Sequence, residues 1–142
     1  WHKFKRIKRF LAHAKWTPAG HFADVLRLVF SRYRFSTYIP IIIDQTTLAG
    51  KREILWASIP FRGRALPLAF KLFRWADIHN DPEGTQNKLE YQFIDQVVAL
   101  FPEPQRLLLL FDRGYARVEL LRHLEQLRVR YVVRTKADTW VH

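Results

Sequence analysis

Cysteine is absent from this 142-residue sequence, which excludes a disulfide scaffold and any Cys-ligated zinc site. Methionine is absent too, and the chain opens on Trp1, so a piece of a longer protein is expected. Long apolar runs are missing. Runs such as Ile41–Ile43 and Leu107–Phe111 are far short of the ~20 residues that span a bilayer. The basic start is not followed by an unbroken apolar stretch, so no secretory signal is read there. Acidic residues are scarce at one end. Residues 1–40 carry nine of the 24 bases and one acid, Asp24, for a net of +8, whereas residues 41–142 carry 15 bases and 12 acids, for +3. Such asymmetry points to a polyanion partner for the leading segment, nucleic acid before an anionic membrane surface.

What is present is a core. Hydrophobic residues make up 49% and aromatics 15% of the chain, which excludes a disordered tail. The length fits one domain of roughly 150 residues. Phe4, Ile7, Leu11 and Ala14 recur at helical spacing with cations on the other faces, a basic amphipathic helix over 3–15. Thr17-Pro18 reads as a second helix start, and Phe22, Val25, Leu26, Val29, Phe30 and Tyr33 continue that helix to about Phe35. The period then changes. Strands are predicted over 38–47, 52–60 and 64–73, the last two joined by a turn at Arg62-Gly63. Pro67 cannot donate to a ladder, which places the third strand at a sheet edge. Residues 77–88 read as a polar loop, 89–101 as a helix, 106–111 as an apolar strand, 118–127 as a helix and 129–134 as a strand. The order predicts an α/β domain with a mixed sheet over 37–142, preceded by a basic helical segment over 1–36.

Two aspartates stand out by position. Asp44 follows Ile41-Ile42-Ile43, and Asp112 follows Leu107–Phe111. A lone buried carboxylate costs several kcal/mol unless it is paired, protonated or metal-bound. Two carboxylates at strand ends of one sheet can converge on a hard divalent cation, Mg²⁺ or Mn²⁺. The plainer alternative for Asp112, ahead of Arg113-Gly114, is an Asx-type turn. Gly114 suits a sharp turn that needs positive φ.

Ile-Ile-Ile-Asp44-Gln-Thr46, then a hairpin, then Leu-Leu-Leu-Phe-Asp112-Arg113-Gly114-Tyr115, then Tyr131-Val-Val-Arg134-Thr-Lys136 resembles the DDE transposases of bacterial insertion sequences, in particular the insertion-sequence-four group. The resemblance covers about residues 38–138. It implies a ribonuclease H-like fold with strand order 3-2-1-4-5, and two-metal phosphoryl transfer that cuts and joins double-stranded DNA at insertion-sequence ends and target. Asp44 would bridge two Mg²⁺ or Mn²⁺ ions and Asp112 would hold one. Thr46 would help position a metal-bound water or the Asp44 carboxylate. Arg113, Tyr115, Arg134 and Lys136, with Lys5, Lys8 and Arg9 of the leading segment, are the expected DNA contacts; Tyr115 also suits packing against the following helix. The family's third acid, a Glu on a later helix, has no counterpart here. Glu119 and Glu125 fall on a helix whose exposed face they suit, and Asp138 falls past the last strand. An incomplete catalytic domain is therefore expected. A bacterial cytoplasmic, nucleoid-associated protein is implied, with a homodimer on DNA.

Two other functions fit parts of the pattern. Asp44-Gln-Thr-Thr-Leu is similar to the nucleophile motif of haloacid dehalogenase-like phosphatases, with Asp44 attacking phosphorus. Thr46 stands where that motif has its second aspartate, and Arg113 follows Asp112 where a paired acid is needed. A non-catalytic remnant of a transposase would instead bind DNA through residues 1–35, with steep salt dependence.

Overall fold

The computed structural model describes residues 4–6, 9, 24, 27–31, 35, 37–80 and 84–135. Lys8, Lys136 and Asp138 lie outside the described residues, as does most of the two expected leading helices. Residues 4–6, 9, 24 and 27–31 are helical, with Lys5 and Arg9 exposed. Phe30 meets Phe101 edge-on at 5.7 Å and Phe35 at 5.3 Å, so the leading segment touches the α/β domain. No helix among the described residues is long and apolar enough to cross a membrane.

Five strands form one mixed sheet: β1 (Ile39–Leu48), β2 (Arg52–Phe61), β3 (Arg64–Phe73), β4 (Leu107–Phe111) and β5 (Arg130–Val133). Their order is β3-β2-β1-β4-β5. The first three run antiparallel as a meander, while β4 and β5 run parallel to β1. The order expected from the resemblance is thus observed, with β3 at the edge. The β2–β3 turn has Arg62 at φ 49° and Gly63 at φ 73°, the two positive values that a two-residue hairpin with the native twist requires. Pro67 sits beside a bulge. The register runs Ala57↔Ala69 and then Ser58↔Pro67, leaving Leu68 as the extra residue. Edge position and bulge together accommodate a residue with no N–H.

Three helices follow: α1 (Trp75–His79), α2 (Gln86–Ala99) and α3 (Val118–Gln126). Two expectations are corrected here. The stretch 77–88 is not a continuous loop, because α1 occupies its start. Nor does the second helix wait until residue 89. Thr85 caps α2 by accepting from the Lys88 amide at 3.1 Å, and such a cap recruits the polar residues Gln86, Asn87 and Lys88 into the first turn.

Burial alternates along β1 and β4 with the two-residue period of a strand. Ile41, Ile43, Leu107 and Leu109 are all but fully buried, in one core with Phe93, Ile94 and Val97 of α2 and Leu120 and Leu124 of α3. Each such side chain contributes about 1.5–3 kcal/mol by leaving water. The other face is barer: Ile42 and Leu110 are half-buried, and Phe70, Leu72 and Val132 are exposed.

Candidate active site

Ile42 pairs with Leu110 and Ile43 with Phe111, the last pair of the β1–β4 ladder. One step further along each strand are Asp44 and Asp112. Both are in phase with the Ile42–Leu110 pair, so they leave neighbouring parallel strands on the same side. Strands in a sheet lie about 4.8 Å apart. Asp44 is thus inside β1 rather than at its end, Asp112 is one residue past β4, and the two residues sit side by side where the β1–β4 ladder ends.

Their surroundings are acidic and concave. Asp44 and Asp112 line a cavity of about 170 Å³ with Gln86 and Glu90 of α2 and with Gly114 and Tyr115. They also line a more open depression with Ile42, Leu110 and Arg134. Asp44 is half-buried and its Oδ1 accepts the Gln45 amide at 2.9 Å. Asp112 is exposed and its Oδ1 accepts the Gly114 amide at 2.8 Å, capping the 3₁₀ turn Arg113–Tyr115. The Asx-type turn and the cavity-lining position thus coexist in Asp112. Among the described residues, neither aspartate is in an ion pair.

Glu90 is the residue that sequence reasoning missed. It is 1% exposed, accepts from Gln86 Nε2 at 2.7 Å and is ion-paired to Arg117. Arg117 also donates to Asn87 Oδ1 at 2.9 Å. A signal was there to be used. Glu90 stands at the first position of an i, i+3, i+4, i+7, i+8 stripe completed by Phe93, Ile94, Val97 and Val98, and a carboxylate on the apolar stripe of a helix demands a partner.

Tyr115 is buried, with its ring centroid 5.2 Å from that of Phe111. No open ring face is left for a base, so Tyr115 is corrected from a DNA contact to a buried member of the cavity wall. Its phenol is pushed above the ordinary range by burial first, then by the charges of Glu90, Asp44 and Asp112, with Arg117 opposing. Among the described residues its hydroxyl has no hydrogen-bond partner, and neither does Arg117 Nε. Gly114 has a different reason from the one expected. Its φ is not positive; instead, a Cβ there would lie 3.1 Å from Asp112 Oδ1.

The remaining candidates scatter. Arg134 donates its amide to the Phe111 carbonyl at 3.1 Å and its side chain lines the open depression beside both aspartates. Arg113 is exposed and lines neither cavity, and Thr46 is exposed further along β1. Glu119 and Glu125 are exposed on α3. No group of three or more His, Asp or Glu side chains among the described residues forms a ready metal-ligand set. The donor set fits a hard divalent cation nonetheless. It is all oxygen, two carboxylates without a cationic partner share one concavity, and a side chain at residue 114 would crowd it.

No protein-family model matches the chain, and no curated protein does. Solved structures do. An intasome of simian T-cell lymphotropic virus in complex with the PP2A regulatory subunit B56 gamma is similar over 81% of this chain, with a TM-score of 0.51 and 13% identity. This chain spans 43% of the length of that one. The catalytic domain of Mos1 mariner transposase aligns over 84% of this chain and 60% of its own, with a TM-score of 0.47 and 12% identity. The mixed 3-2-1-4-5 sheet with its flanking helices is a ribonuclease H-like fold.

Proposed function

We propose that this chain is catalytic-domain sequence of a DNA transposase of the DDE type, in the insertion-sequence-four group, acting by two-metal phosphoryl transfer. The observation that carries the proposal is that Asp44, inside β1, and Asp112, one residue past β4, line one cavity where the β1–β4 ladder ends, with no cationic partner among the described residues. Asp44 and Asp112 would hold Mg²⁺ or Mn²⁺. Bound there, the ions would supply an activated water or 3′-hydroxyl and stabilise the leaving oxygen.

The chain's own side chains do the rest. The Gln45 and Gly114 amides fix one oxygen of each aspartate. Arg134, beside the pair in the open depression, meets a backbone phosphate. Lys5, Lys8, Arg9, Arg113 and Lys136 add sequence-independent attraction that weakens as salt rises. The partner is double-stranded DNA, with two copies of the chain synapsing two ends. The aspartyl-phosphate alternative is left without its paired acid, since exposed Arg113 follows Asp112.

The test is Mn²⁺ binding by the full chain, followed by electron paramagnetic resonance, with DNA affinity measured alongside. Wild type is expected to bind Mn²⁺, and Asp44→Asn and Asp112→Asn each to lose it. DNA binding that ignores divalent cations and is unchanged in the double variant would replace this proposal with the non-catalytic remnant.

A further inference from the structure

The cavity under the aspartate pair contains a donor with nothing to donate to. Tyr115 is 5% exposed, and its hydroxyl is unpartnered among the described residues. A buried hydroxyl left unsatisfied costs about 1–3 kcal/mol, and native interiors rarely tolerate one without a use. Glu90 has both carboxylate oxygens engaged and each aspartate has one, so Asp44 Oδ2 and Asp112 Oδ2 stay open. The two Glu90 oxygens are taken by Gln86 and Arg117, Asp44 Oδ1 by the Gln45 amide, and Asp112 Oδ1 by the Gly114 amide. The hydroxyl bonds to neither open oxygen, which leaves as its acceptor the contents of the cavity. Its volume of about 170 Å³ has room for several waters at about 30 Å³ each.

Tyr115 is also held in register with Asp112. The 3₁₀ turn Arg113–Tyr115 is capped by the Asp112 side chain, the Tyr115 amide donates to the Asp112 carbonyl at 3.3 Å, and the ring rests against Phe111. Hydroxyl and carboxylate are therefore fixed by one turn. Glu90 enters the cavity already neutralised by Arg117, which leaves the negative charge of Asp44 and Asp112 as the uncompensated part.

We infer that Tyr115 is a positioning residue of this site: its hydroxyl donates to an oxygen ligand, water or phosphate, of a divalent cation held by Asp44 and Asp112. This role rests on the proposed cation site and goes beyond it by assigning the buried tyrosine a task. Tyr115 acts through the oxygen it orients and touches no reacting bond.

The experiment compares the full-length wild type, Tyr115→Phe and Asp44→Asn for Mn²⁺ affinity, and the metal-free proteins for urea stability. Phenylalanine keeps the ring and its packing on Phe111. The expected result is Mn²⁺ binding about tenfold or more weaker in Tyr115→Phe, as for loss of an outer-sphere partner, with metal-free stability equal to or above wild type. A structural tyrosine would give the reverse: affinity within about twofold of wild type and a less stable metal-free protein, which overturns the inference. If Asp44→Asn abolishes Mn²⁺ binding while Tyr115→Phe leaves it intact, the cation site stands and only the role of Tyr115 falls. If wild type binds no Mn²⁺, the site and this inference fall together.

Discussion

Two walls of one cavity carry the same charge and are treated in opposite ways. On the helix side, Glu90 is 1% exposed and matched by Arg117 and Gln86. On the strand side, Asp44 is half-buried, Asp112 is exposed, and each has a backbone amide but no cation among the described residues. On the proposed function, the contrast separates a carboxylate used by the fold from carboxylates kept for a ligand. A buried charge has to be compensated within the chain before anything binds. A charge at the rim can stay solvated until a cation arrives. If that division is right, the two walls will respond to mutation on different scales and in different assays.

The largest effect belongs to the matched wall. Arg117→Ala strands Glu90 as an unpaired buried charge, and breaking such a pair from one side costs about 3–5 kcal/mol. Urea denaturation of the metal-free protein should show that loss. Asp44→Asn and Asp112→Asn should move stability by no more than about 0.5 kcal/mol in the same assay, as for surface changes. They should instead abolish Mn²⁺ binding at concentrations that saturate wild type. Equal destabilisation by all three substitutions would erase the distinction between the walls.

A smaller effect tests the geometry of the strand side. An alanine at Gly114 would bring a Cβ to 3.1 Å from Asp112 Oδ1. Since φ is not positive there, no backbone strain is added, and the carboxylate has to shift by a few tenths of an ångström. Gly114→Ala should cost stability by about 1 kcal/mol or less while weakening Mn²⁺ binding. Unchanged affinity would show that the exact placement of Asp112 is immaterial to the cation.

The strand side was legible in the sequence and the helix side was not, for physical reasons. Apolar runs ending in aspartate announce themselves, because a charge that ends a buried run needs a turn, a partner or a ligand to offset its desolvation. Pro67 gave the sheet edge by its missing N–H, and the bulge at Leu68 agrees with that placement. Glu90 was hidden because its partner is 27 residues away; nothing local pairs a helical glutamate with Arg117. Tyr115 was read in part as a base-stacking ring because an aromatic beside a motif advertises exposure and burial equally. Only the packing on Phe111 decides between them. Gly114 shows a subtler miss: the residue type was tied to a positive φ in a sharp turn, whereas what disfavours a side chain there is the closeness of Asp112 Oδ1.

A pH-dependent effect reads the same two walls through the proton of Tyr115. Burial raises its phenol above the ordinary value near 10, with Glu90 the strongest of the contributing charges and the aspartates behind it. Below pH 10 the phenol is protonated in both folded and unfolded chains, and its contribution to stability is whole. Above pH 10 the unfolded chain releases the proton while the folded chain keeps it. Stability should then fall as pH rises, by up to about 1.4 kcal/mol per pH unit, until the folded phenol also titrates. Tyr91 and Tyr131 are raised as well, so the quantity to measure is the difference between wild type and Tyr115→Phe from pH 9 to 11. That difference should be flat below 10 and move in favour of the phenylalanine variant above it. Because burial leads, Asp44→Asn should leave most of the alkaline loss in place. A loss that vanished in Asp44→Asn would mean that the strand-side charge, not the packing against Phe111, holds the proton, and the line between the two walls would have to be redrawn.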